Sequence, residues 1–190
     1  MKGNFFIVFS IFYLLCDGGV DGARRKLWKP YGFNLRCNKV LGNDLTYIKK
    51  VKKFKWTDKM KLGMSCKEIR ARGFYPNAPM SKAEAEFPLA YARNVYTDYE
   101  TIELMLLVSY APQNHYCFSV DKKQPKMIKK MKQLASCFKN VYISPVYFNM
   151  LSNGNYLPDA HYECMKILVN KKFRYLFNLL VSINDITNNK

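Results

Sequence analysis

The chain has 190 residues, 49% hydrophobic and 24% charged, which is long enough to bury a core and too apolar for disorder. Nine glycines and eight prolines exclude collagen-like and low-complexity classes, and six cysteines are too few for a disulfide-built mini-protein. With 31 Lys and Arg against 14 Asp and Glu, the net charge of +17 favours polyanions, anionic membranes or phosphorylated ligands as partners.

Lys2 precedes an uncharged apolar run from Phe5 to Cys16, followed by Asp17, Gly18 and Gly19. One positive charge, a short apolar stretch and a small-residue exit read as a secretory leader, with cleavage near Gly22 and Ala23. The run falls short of the roughly 20 residues a bilayer span needs. Arg24, Arg25 and Lys26 on its far side also weaken an anchor. Residues 1–22 are thus a signal peptide or a short signal anchor, which leaves membrane anchoring through this segment open. Setting Cys16 aside leaves Cys37, Cys66, Cys117, Cys137 and Cys164, an odd number, so one thiol is free or its partner lies elsewhere. With no C-x-x-C and two histidines, structural zinc is disfavoured.

Residues 23–65 form a basic stem centred on Lys49-Lys50-Val51-Lys52-Lys53-Phe54-Lys55-Trp56. Aromatics among lysines suit nucleic-acid stacking, but in a secreted chain a solvated helix or arm explains them, and no nucleic-acid partner is expected. Further on, the pattern alternates. The spacing predicts strands at 87–95, 116–120, 141–143 and 173–180. Helices are predicted at 100–110, 122–138 and about 159–170. Met127, Ile128, Met131, Leu134, Ala135 and Phe138 share one side of the second helix, with lysines opposite. Such alternation implies a parallel sheet with helices on both faces. Ligand chemistry then belongs at the carboxyl ends of the strands. Asp121 sits at such an end, where position alone favours a helix cap and a base or ribose contact is the functional reading. Lys122, Lys123 and Lys126 suit either a diphosphate or a solvated face. No G-x-G-x-x-G, Walker or G-x-S-x-G motif occurs.

Several stretches together resemble the core-2/I-branching β-1,6-N-acetylglucosaminyltransferases, glycosyltransferase family 14. They are Pro79 to Tyr91, Ser109 to Lys123 (with Tyr110-Ala111-Pro112-Gln113-Asn114, Cys117 and Val120-Asp121), Leu134 to Val141, Cys164-Met165-Lys166, and the stem segment Cys37 to Asp44. The resemblance covers about residues 35–180, and Ala92 to Tyr96 is most similar to nematode members.

The resemblance implies an α/β, GT-A type nucleotide-sugar transferase fold with a Rossmann-like, mostly parallel sheet, of which residues 66–190 are the N-terminal, donor-binding part. It implies transfer of N-acetylglucosamine from UDP-GlcNAc, with inversion and without a divalent metal, to O-glycan or polylactosamine acceptors in the Golgi membrane or lumen. A chain whose signal is cleaved would be secreted. Asp121 matches the carboxylate that contacts the donor uracil. Asn94 occupies the first-strand position where vertebrate members carry a valine beside the uridine, and Tyr96 the position where they carry a histidine. By family pattern Cys66 pairs with Cys137 and Cys117 with Cys164. Cys37 matches a stem cysteine whose partner lies beyond residue 190, which would leave it unpaired here. The catalytic glutamate and the diphosphate-binding Arg and Lys would lie beyond residue 190 too, so no catalytic residue is assigned. Glu100 and Glu103 are expected to face solvent, and the sequence is expected to drift from the family after Leu180. On this reading the chain is truncated, and the alternative is a catalytically silent secreted protein that binds UDP or acidic glycans.

Overall fold

The computed structural model describes residues 36–51, 62–151 and 153–181. The chain divides into two compact units, residues 1–60 and 61–190. The leader expected at 1–22 and stem residues 52–61 lie outside the described residues.

In the first unit lie helices α1 (Cys37–Leu41) and α2 (Leu45–Lys50). Asp44 caps α2 by accepting the Tyr47 N–H at 3.0 Å. Hydrogen bonds from the Thr46 hydroxyl, the Tyr47 N–H and Lys39 hold its carboxyl down to about 2. Neither helix has a buried residue; α2 is supported locally by its Asp44 cap, whereas Arg36 at the start of α1 makes no side-chain cap bond.

The second unit opens with α3 (Cys66–Ala71), started by a capping box between Ser65 and Glu68, and α4 (Lys82–Ala85), capped by Ser81. Strands and helices then alternate: β1 (Leu89–Val95), α5 (Tyr99–Ser109), β2 (His115–Val120), α6 (Pro125–Ser136), β3 (Val141–Ile143), α7 (Leu157–Leu168) and β4 (Tyr175–Val181). The elements read from spacing are all present, with shifted ends. Pro125 and Pro158 stand in the first turns of α6 and α7, where a missing N–H costs nothing. The 122–138 helix therefore begins three residues late.

All pairings are parallel, in the order β3-β2-β1-β4. One face packs Tyr116, Phe118, Val120 and Val95 against Ile102 and Leu106 of α5 and Met127, Met131 and Leu134 of α6. Ala90, Ala92 and Cys117 on the opposite face pack against Cys164 and Leu168 of α7. Helices thus cover both faces, as alternation requires.

Each face carries a bridge. Cys66–Cys137, with Cα atoms 5.1 Å apart, ties α3 to the end of α6, and Cys117–Cys164, at 5.5 Å, ties β2 to α7. Their sequence separations of 71 and 47 correspond to about 4 kcal/mol each in the chain-entropy account. Cys37 is also disulfide-bonded, and no described cysteine is free. This corrects the expectation that Cys37 is unpaired.

A second correction concerns α5. Glu100 and Glu103 are buried, at 4% and 2% exposure, rather than solvated. Glu103 takes both branches of the Arg72 guanidinium, at 2.6 and 2.8 Å, and Arg72 also donates to the Gly63 carbonyl at 2.5 Å. This two-pronged pair anchors the end of α3 on α5.

Candidate functional site: the carboxyl edge of the sheet

Strand order places the reversal of winding at β1. The chain steps from β1 to β2 to β3 on one side, then crosses to β4 on the other. In open α/β sheets the ligand crevice lies outside the carboxyl ends at such a reversal. The segments leaving β1, β2 and β3 there are Tyr96 to Asp98, Asp121 to Gln124 and Ser144 to Tyr156. Two residues at this edge hold a left-handed backbone, Asp98 and Tyr156, each with φ of 63°. For an aromatic residue such as Tyr156 that conformation costs about 1–3 kcal/mol, a strain that clusters at functional positions.

Asp121 follows β2 directly and is 1% exposed. Its backbone N–H donates to Val95 O at 3.1 Å, so it stands beside the end of β1. Its Oδ1 accepts the N–H of Lys123 at 2.7 Å. The cap residue of α6 is Gln124, whose side chain makes no cap bond, so Asp121 forms a two-residue side-chain turn and does not cap the helix. The Lys123 ammonium lies 3.5 Å from Asp121 Oδ2, donates to Met150 O at 2.7 Å and sits 5.4 Å from the centre of the Tyr96 ring. Asp121 and Tyr96 are therefore brought together through Lys123.

Asn94 is engaged differently. It is 4% exposed, and its Nδ2 donates to Leu157 O at 2.9 Å, holding the first turn of α7. Its Oδ1 has no partner, nor does the hydroxyl of Ser119, its register neighbour on β2.

Sequence reasoning places Asp121 at this edge but leaves Lys123 between a diphosphate contact and a solvated face. The available signal is the Asp-x-Lys spacing after an apolar run, which fits a side-chain turn as well as a cap. The carbonyl of Met150 carries no signal, because a backbone acceptor has no sequence signature. Among the described residues no group of three or more His, Cys, Asp or Glu side chains could hold a metal ion. No helix among them is long and apolar enough to cross a membrane.

Residues 89–188 match the family described as Core-2/I-Branching enzyme. The match continues past Leu180, so the expected drift from the family pattern after that residue is corrected. The human β-1,3-galactosyl-O-glycosyl-glycoprotein β-1,6-N-acetylglucosaminyltransferase is 34% identical over 161 residues, covering 77% of this chain and 38% of the relative. Its human counterpart numbered 3 is 33% identical over 139 residues, covering 72% and 32%. The mouse N-acetyllactosaminide β-1,6-N-acetylglucosaminyl-transferase is 30% identical over 166 residues, covering 85% and 40%. The chain thus spans 38% of the length of the first of these relatives. The four-stranded parallel sheet with helices on both faces is that of a GT-A-like, Rossmann-type fold. Sheet, carboxyl edge and matched residues lead to one assignment: the chain belongs to the core-2/I-branching enzyme family.

Proposed function

We propose that the chain binds the donor UDP-N-acetylglucosamine at the carboxyl edge and serves its transfer, in β-1,6 linkage and with inversion, to O-glycan or polylactosamine acceptors. The observation that carries this reading is the place of Asp121, a buried carboxylate at the end of β2 beside the winding reversal. Its second oxygen can accept the imide N–H of a uracil. Tyr96 would flank the base, and Asn94 would contribute backbone while its amide holds α7. Residues 1–22 and 23–65 would serve as leader and stem, delivering the domain to the secretory pathway, in the Golgi membrane or lumen or secreted.

Inverting transfer also needs a base for the acceptor hydroxyl and cations for the departing diphosphate. The glutamates with described partners are otherwise engaged. Glu68 bonds Ser65, Glu84 bonds the Met80 N–H, Glu103 bonds Arg72, and Glu86 and Glu163 pair with Lys82 and Lys166. Glu100 is buried in α5. The base is not assigned to any of these.

The test is binding of UDP to the purified chain, with Asp121→Asn alongside. The variant should weaken UDP by about tenfold or more, the worth of one charge-assisted hydrogen bond, at unchanged melting temperature. A chain indifferent to UDP would refute the reading. Binding without transfer to a galactose-bearing acceptor would keep the donor site and match the silent, UDP-binding alternative.

A further inference from the structure

Both oxygens of Asp121 face atoms of one residue. Oδ1 is held by the Lys123 N–H at 2.7 Å, and Oδ2 is covered by the Lys123 ammonium at 3.5 Å. The two contacts differ in kind. The first is fixed by the turn. The second ends a flexible four-carbon stem, and the Lys123 side chain is 42% exposed against 1% for Asp121. The ammonium is therefore the mobile one of the two contacts, and Oδ2, buried with the rest of Asp121, is the oxygen a ligand N–H would share with it or take from it.

Displacement has a cost, because the ammonium gives up both the carboxylate and the Met150 carbonyl, to which it donates at 2.7 Å. A neutral nucleoside offers nothing in return, whereas a nucleoside diphosphate carries anionic oxygens that could receive the released ammonium. We infer that Lys123 is an exchange cation: it covers Asp121 in the empty protein and moves to the donor diphosphate when the base takes its place. This rests on the donor-site reading above and adds the residue that couples its two halves. A ligand with the right base and no phosphate meets an opposing ammonium. One with phosphates and no fitting base leaves the ammonium on Asp121. Recognition of base and diphosphate then becomes a single event.

The test uses the full chain and two probes, uridine and UDP, with affinities read by calorimetry or NMR titration. Wild type should bind UDP well above uridine. Lys123→Ala should bind uridine at least as tightly as wild type, while the UDP-over-uridine ratio falls about tenfold, the worth of one charged contact. Lys123→Arg should keep most of that ratio. Equal weakening of both probes in Lys123→Ala would make Lys123 a fixed support for Asp121 and overturn the exchange. Unchanged affinities would make it a spectator and overturn the exchange equally. If wild type binds neither probe, or if Asp121→Asn leaves uridine affinity untouched, the donor site itself fails and the exchange with it. A thermal melt of each variant separates these outcomes from loss of fold.

Discussion

The two edges of the sheet are built on opposite plans. At the amino edge, Asn140, Asn114, Tyr110 and Tyr116 are closed on one another and on nearby backbone, and Gln113 Oε1 is the exception without a partner. Asn140 donates to Ala111 O and Asn114 O at 3.1 and 2.8 Å and accepts from the Tyr110 hydroxyl at 3.1 Å. Asn114 Oδ1 takes the Leu89 N–H at 2.9 Å, and the Tyr116 hydroxyl accepts from Ala111 N at 2.9 Å and donates to Ser109 O. Burial pushes the Tyr116 hydroxyl up to about 12, so it stays protonated and able to donate. At the carboxyl edge, a left-handed tyrosine, an orphaned Asn94 oxygen and a buried carboxylate under a half-exposed lysine leave capacity unused. The difference bears on how motifs are read. The Tyr-x-Pro-Gln-Asn segment lies at the amino edge, where Asn114 helps fix the architecture, while the proposed donor contacts lie at the carboxyl edge.

The largest effect should come from breaking the closed edge. Asn140→Ala strands two buried carbonyls and the Tyr110 hydroxyl, and should lower stability by about 2–4 kcal/mol with UDP affinity unchanged, as measured by urea denaturation beside a UDP titration. A loss of UDP affinity in the still-folded variant would show the edges to be coupled. Asp121→Asn is its mirror, with binding lost by about tenfold or more and stability retained.

Arg93, midway along β1, sharpens the contrast from a third position. It is 4% exposed, Nη2 meets Ser109 Oγ at 3.1 Å, and Nε and Nη1 have no partner. Desolvation pulls its guanidinium below the ordinary value, and the Tyr91 ring at 5.2 Å is a partial substitute for an anion. Arg93→Met should therefore raise stability by about 1 kcal/mol, read as a higher urea midpoint. A lower midpoint would mean that the cation is compensated after all.

The smallest effect is in pH. Burial holds His115 and His161 below the usual 6.5, with Lys171 adding to the effect at His115. The unfolded chain takes up these protons first, so the stability they contribute is present above that value and is lost as pH falls below it. Melting temperature should drop modestly from pH 7 to pH 5, and the His115→Gln/His161→Gln double variant should flatten the slope.

How much of this is legible in the sequence follows the range of the forces involved. The strands and long helices are written in local periodicity, which is why α6 shows its apolar side so clearly, with Met127, Met131 and Leu134 buried. Asp121 is legible as the polar residue ending an apolar run. The burial of Glu103 is not, because its partner is 31 residues away and no local pattern announces a two-pronged pair. Lys123 escapes for a different reason. A lysine in a basic chain reads as solvated until the carboxylate and carbonyl that hold it are placed in space.

The two bridges have a further consequence through their order along the chain. Cys66–Cys137 and Cys117–Cys164 interleave, so together they span every peptide bond from Cys66 to Cys164. A protease that cuts once anywhere in that interval releases nothing: the pieces stay joined and move as one band on a gel until a reductant is added. The covalent connection between the pieces thus survives a single scission anywhere in β1, β2 or β3, which lie inside the interval, and not in β4, which lies beyond it.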